Sequence, residues 1–168
     1  LRKLKKLNCR LNDKIKDVNH LSDTLIFLDC RRISRESNCE IEQNGICHLN
    51  NLKKLKISWC REINHSDNLA NILQKLSFSP CTENFDCTIL CDFNKLKKLI
   101  IHVYNGKLCI NHLSNTLEEL HCTKCNVDQD MISYFKKLKI LNCTDVEGIT
   151  DVNHLSDILV ELYCGGIC

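Results

Sequence analysis

One seven-residue string occurs twice without change: Asp17-Val18-Asn19-His20-Leu21-Ser22-Asp23 returns as Asp151 to Asp157. Related versions run from Ile46 to Asn51 and from Ile110 to Asn115. Internal repetition of this kind limits a chain to architectures that stack one supersecondary unit on the next. Each copy is followed by L-x-x-L-x-(C/I/F). The leading leucines, position one of the repeat, are Leu4, Leu25, Leu52, Leu73, Leu96, Leu117, Leu138 and Leu159, at steps of 21, 27, 21, 23, 21, 21 and 21 residues. Position four holds Leu7, Leu28, Leu55, Leu76, Leu99, Leu120, Leu141 and Leu162, without exception. Residues 1–168 thus read as one domain of seven complete repeats and the start of an eighth. The chain opens on Leu1 rather than Met, with Leu4 already on the pattern, and stops in mid-repeat at Gly165-Gly166-Ile167-Cys168. It reads as a fragment, or as a product without ordinary caps.

Inward positions four and six alternate with polar positions five and seven, which is the period of a strand. Each repeat is therefore expected to give one short strand, and stacking sets about eight of them parallel in one sheet. Ile15, Val18 and Leu21 step by three, as do Ile149, Val152 and Leu155. That spacing suits a 3-10 or one-turn helical return on the outer face. No repeat buries its apolar face alone, so the core is made by stacking. The longer second and fourth repeats are expected to loop out around residues 34–45 and 82–92.

The pattern L-x-x-L-x-L-x-x-(N/C) resembles the leucine-rich repeat over essentially the whole chain. The resemblance implies an α/β solenoid, curved, with its parallel sheet on the concave face and irregular returns on the convex face. Ile149-Thr150-Asp151 and Cys60-x-x-Ile63 resemble the cysteine-containing class often attached to F-box domains. The richness in Asn, Lys and Ile, with cysteine in place of leucine, is similar to repeat proteins of giant DNA viruses and some protists. Ligands of the family are most often proteins.

Fourteen cysteines would suggest a disulfide framework in a short secreted chain. The register gives eight of them a different task. Cys9, Cys30, Cys122, Cys143 and Cys164 fall at position six, and Cys60, Cys81 and Cys125 at position nine. Both are core slots, where free cysteine acts as a small hydrophobe. Cys122-x-x-Cys125 is half a zinc motif without its second pair. Cys39, Cys87 and Cys91 lie in the insertions, where a metal site or a disulfide stays open as an alternative. No metal or other cofactor is expected. The histidines His20, His48, His112 and His154 each precede an inward leucine. Repetition in four copies marks them as consensus residues of the convex face rather than catalysts, and nothing supplies a nucleophile, a base and an orienter at one point. An enzyme is not expected.

Charge is unevenly spread. Residues 1–107 carry 19 Lys and Arg against 12 Asp and Glu; residues 108–168 carry 4 against 9. Lysines recur at Lys5-Lys6, Lys53-Lys54, Lys75 and Lys97-Lys98, and are replaced by Glu118-Glu119. Positions three, five, seven and eight should line the concave face. The candidate binding surface is accordingly Lys6, Asn8, Arg10, Phe27, Asp29, Arg31, Arg32, Lys54, Lys56, Trp59, Lys75, Lys98, His102, Glu119 and His121. The function expected is a non-catalytic protein-interaction scaffold whose partner is acidic toward the first five repeats. Two rivals are the substrate-recognition part of an F-box-type ubiquitin ligase, and nucleic-acid binding through the basic stripe. A net charge of only +2 and 5% aromatic residues weigh against nucleic acid. No apolar run reaches the roughly 18 residues needed to span a bilayer and the start lacks a signal-peptide pattern, so no membrane partner and a cytoplasmic location are expected.

Overall fold

The computed structural model describes residues 1–31, 41, 43–58, 67–79, 87–104, 106 and 108–166. Eight strands lie in one sheet in sequence order: β1 (Lys6–Asn8), β2 (Phe27–Asp29), β3 (Lys54–Ser58), β4 (Lys75–Ser79), β5 (Lys98–Tyr104), β6 (Glu119–Cys125), β7 (Ile140–Asn142) and β8 (Glu161–Tyr163). Every neighbouring pair is parallel, and position four always faces position four: Leu7 pairs Leu28, Leu28 pairs Leu55, and so on to Leu141 with Leu162. The entry to each strand fixes this register. The amides of positions two and three both donate to the position-two carbonyl of the preceding strand. Ile26 and Phe27 donate to Lys5, Glu118 and Glu119 to Lys97, and Val160 and Glu161 to Lys139.

The leucines at positions one and four build the core. Leu25, Leu52, Leu73, Leu96, Leu117 and Leu138 are wholly buried, as are Leu28, Leu99, Leu120 and Leu141. The returns are short. They include 3-10 turns at Asn19–Leu21, Gln43–Gly45, Cys87–Asp92, Asn111–Asn115 and Asn153–Leu155, and the helices α1 (Asp67–Ile72) and α2 (Gln129–Ser133). The duplicated heptapeptide folds identically in its two places. Asp17 Oδ1 and Asp151 Oδ1 each accept from the amide two residues on, at 2.7 Å, and so open the 3-10 turn. Val18 and Val152 take the same backbone conformation just ahead of it.

Inward positions four and six are two apart, but six and nine are three apart, which a regular strand cannot place on one face. The backbone resolves this at position eight. Leu11, Val103, Lys124 and Asp145 all have φ between 54° and 61°, and Gly166 at the same position has φ 135°. A left-handed residue there acts as a bulge and returns position nine to the core. Tyr104 and Cys125 are buried in consequence.

Cys9, Cys30, Cys122 and Cys143, at position six, fill core slots, as expected, and the thiols of the first three also donate to the next strand. Cys9 Sγ lies 3.6 Å from the Asp29 carbonyl, Cys30 Sγ 3.6 Å from that of Lys56, and Cys122 Sγ 3.5 Å from that of Asn142. Leucine has no such donor. Burial raises the thiol pKa of Cys122 and Cys143, and carries that of Cys125 up to about 11.

Two expectations need correction. Cys164 is exposed rather than a core residue, because β8 is the last described strand and nothing among the described residues covers its outer edge. The segment 82–92 does not loop out as a whole. From Cys87 onward it is a 3-10 return that buries Cys87, Leu90 and Phe93. In the segment 34–45, Ile41 and Gly45 are buried. Residues 34–40, 42 and 82–86, with Cys39, Cys60 and Cys81, lie outside the described residues.

Candidate protein-binding surface

Positions three, five and seven alternate with buried leucine and cysteine, so their side chains stand on the open side of the sheet. The first strand offers Lys6 and Asn8, and Arg10 follows just past it, all exposed. Next to them come Phe27, then Lys54 and Lys56, then Lys75. Lys56 Nζ sits 5.9 Å from the centre of the Phe27 ring, a cation–π approach that holds the cation over the face. Four further expected residues, Lys98, His102, Glu119 and His121, meet across β5 and β6. Arg32 and Trp59 lie outside the described residues.

Not every expected residue is available to a partner. Asp29 is only 4% exposed. Both its oxygens are taken by Arg31, whose Nε lies 2.9 Å from Oδ1 and Nη2 2.8 Å from Oδ2. Burial pushes the Asp29 pKa up, but hydrogen bonds and charge from Arg31 outweigh it and hold the carboxylate below its ordinary value. Asp29 is therefore a positioning residue for the Arg31 fork. Lys98 Nζ is ion-paired with Glu119 on the next strand. Glu118 bridges Lys97 at 3.3 Å and Lys139 at 3.1 Å along the strand entries.

Sequence reasoning omitted several residues at these same positions. Ser77, Ile100, Ile140, Asn142, Glu161 and Tyr163 occupy positions three and five of later strands. The register alone was enough to find them. Of these, Ile140, Asn142, Glu161 and Tyr163 make the surface beyond β5 more apolar and more acidic than the lysine-rich half.

The open face thus has two parts. From β1 to β5 its positions three carry Lys6, Phe27, Lys54, Lys75 and Lys98; from β6 to β8 they carry Glu119, Ile140 and Glu161. Among the described residues, no group of three or more metal-ligating side chains converges, and no helix is long and apolar enough to cross a membrane.

The convex side is knitted by side chains reaching between repeats. Asn19 Nδ2 donates to the Asn44 carbonyl at 2.6 Å, and its Oδ1 accepts from the His48 amide at 2.9 Å. Gln129 Oε1 accepts from the amides of Thr150 and Asp151, both at 3.0 Å. His154 Nε2 lies 3.0 Å from the Ile132 carbonyl. Asn19, Gln129 and His154 thus staple neighbouring repeats together.

No family model and no curated protein sequence matches the chain. Among solved structures, the chain is similar to internalin C2 from Listeria monocytogenes str. 4b F2365. The TM-score is 0.60 at 16% identity, covering 99% of this chain and 73% of that one. At that identity the likeness carries the fold. Repeat pattern, single parallel sheet and structural neighbour together give this chain the leucine-rich-repeat fold, a curved solenoid with its sheet on the concave face.

Proposed function

We propose that the chain is a non-catalytic scaffold that binds a protein partner on its concave face, with an acidic stretch of that partner lying over β1 to β5. The observation that carries this reading is the concave row Lys6, Lys54, Lys56 and Lys75. Lys54 and Lys75 are register neighbours on strands about 4.8 Å apart, Lys56 lies two residues further along β3, and Lys6 stands in the row of Lys54 and Lys75 beyond Phe27. The described residues give none of these four an ion pair of its own, whereas Lys98, in the same row, is ion-paired with Glu119. Such a row steers an acidic partner into the concavity and sets its register. The more acidic half from β6 onward gives the partner a preferred direction along the solenoid.

The test is fluorescence anisotropy with a labelled oligo-aspartate peptide as probe. Wild-type protein is expected to bind it in a salt-sensitive way. The pair Lys54→Glu with Lys75→Glu should weaken binding roughly tenfold or more. The pair Lys14→Glu with Lys16→Glu, on the first return, should leave it nearly unchanged. Equal loss in both variants would remove the concave face from the account. A single-stranded DNA of matched charge that outcompetes the peptide would favour the nucleic-acid reading instead.

A further inference from the structure

The seam between the basic and acidic halves of the concave face holds two histidines. His102 stands at position seven of β5. His121 stands at position five of β6, paired in register with Ile100, two residues before His102. Both project to the open side, because Ile101 and Cys122 beside them are buried. Diagonal neighbours on adjacent strands are within side-chain reach.

His121 has an unusual deficit. Its Nε2 is buried and has no hydrogen-bond partner among the described residues. Buried polar atoms are nearly always satisfied, so an orphan of this kind calls for an explanation. The charged groups around the pair come from several elements. Lys98 and His102 belong to β5, Glu119 to β6 and Glu161 to β8, while Arg31 bears on His102 from just past β2. β7 contributes only the uncharged Ile140 and Asn142 at these positions, and β4 contributes Lys75. The two carboxylates already have partners: Glu119 takes Lys98, and Glu161 Oε2 accepts from the Tyr163 hydroxyl at 2.9 Å. Both still act on His121 through space and offset part of the lowering of its pKa.

We propose that the His102–His121 pair receives a carboxylate side chain of the acidic protein partner, and that protonation of the pair tightens the grip. This deepens the reading of the concave face given above and rests on it. Burial lowers the pKa of both rings; Arg31 lowers that of His102 further, and Lys98 that of His121. In the free protein the pair is thus neutral near pH 7. A bound carboxylate stabilises the imidazolium and raises both values, so the complex takes up protons as it forms. Affinity therefore rises as pH falls through the bound-state values and levels off below the free-state ones. An aspartate probe stays ionised throughout that window, because its carboxylates titrate near about pH 4.

The experiment is a calorimetric titration of the full chain with the oligo-aspartate peptide at about pH 7.5 and about pH 5.5, spanning the histidine range. Binding by the wild type is expected to tighten roughly tenfold at the lower pH, which corresponds to about one unit of histidine pKa. The double variant His102→Gln with His121→Gln should lose the pH dependence, with little gain in affinity between the higher and the lower pH. Proton NMR of the wild type provides a readout that needs no variant. The His102 and His121 ring signals should titrate higher with probe bound, by about one unit summed over the two rings. Binding that is equally tight at both pH values, with unmoved ring titrations, overturns the histidine proposal and leaves the concave reading standing. Absence of binding at either pH overturns both.

Discussion

Val103 is a β-branched residue held at φ 54° in the open, 60% exposed. Left-handed backbone costs an ordinary L-residue roughly 1–2 kcal/mol, and asparagine tolerates it far better. Val103→Asn is therefore expected to raise stability by about 1 kcal/mol in a urea melt. A loss of stability would contradict the bulge at position eight. That bulge was hardly legible in the sequence, since of its five occupants only Asp145 and Gly166 are of types that favour the left-handed region, while Leu11, Val103 and Lys124 are not. Position nine could be named as a core slot from its residue types, but the backbone device that puts it there could not. The cysteines were more transparent, because their spacing follows the leucines. Cys122 and Cys143 should react slowly with a thiol reagent in the native protein, since burial disfavours the thiolate, and quickly in urea. Cys164, at the same repeat position but exposed, should react quickly in both. Uniform fast labelling would mean that the repeats do not stack as described.

At the scale of elements, the strands were plain in the sequence because two periods agree, one within each strand and one between repeats. The returns were less so. Their type was legible from the steps of three, but the points where one return touches the next were not. Gly148 is such a point. A Cβ there would fall 2.1 Å from the Val127 carbonyl oxygen, a backbone atom that cannot swing aside. Gly148→Ala should thus cost about 1–3 kcal/mol as overpacking. Gly165→Ala meets nothing within 4 Å and should change stability by no more than about 0.5 kcal/mol. Equal melting curves for the two variants would show that the returns stand further apart. The insertion in repeat four was misjudged for a related reason. Its polar look hid Cys87, Leu90 and Phe93, which fold back to cover the core.

Over the whole molecule, the uneven charge could be counted from the sequence, and the register put the lysines on one face. What counting could not show is which charges the fold itself consumes. Asp29 is spent on Arg31, Glu119 on Lys98, and Glu118 on Lys97 and Lys139. Once those are set aside, Lys6, Lys54, Lys56 and Lys75 remain as a row on the concave side. The central claim is that this row, and not the stapled convex face, meets the partner. Amide chemical-shift mapping of the labelled protein with the oligo-aspartate probe tests it most directly. The account predicts perturbations concentrated in β1 and β3 to β5, fading beyond β6 and shrinking with added salt. Perturbations centred on the returns Asn19–Leu21 and Asn153–Leu155, or spread evenly over the chain, would contradict it.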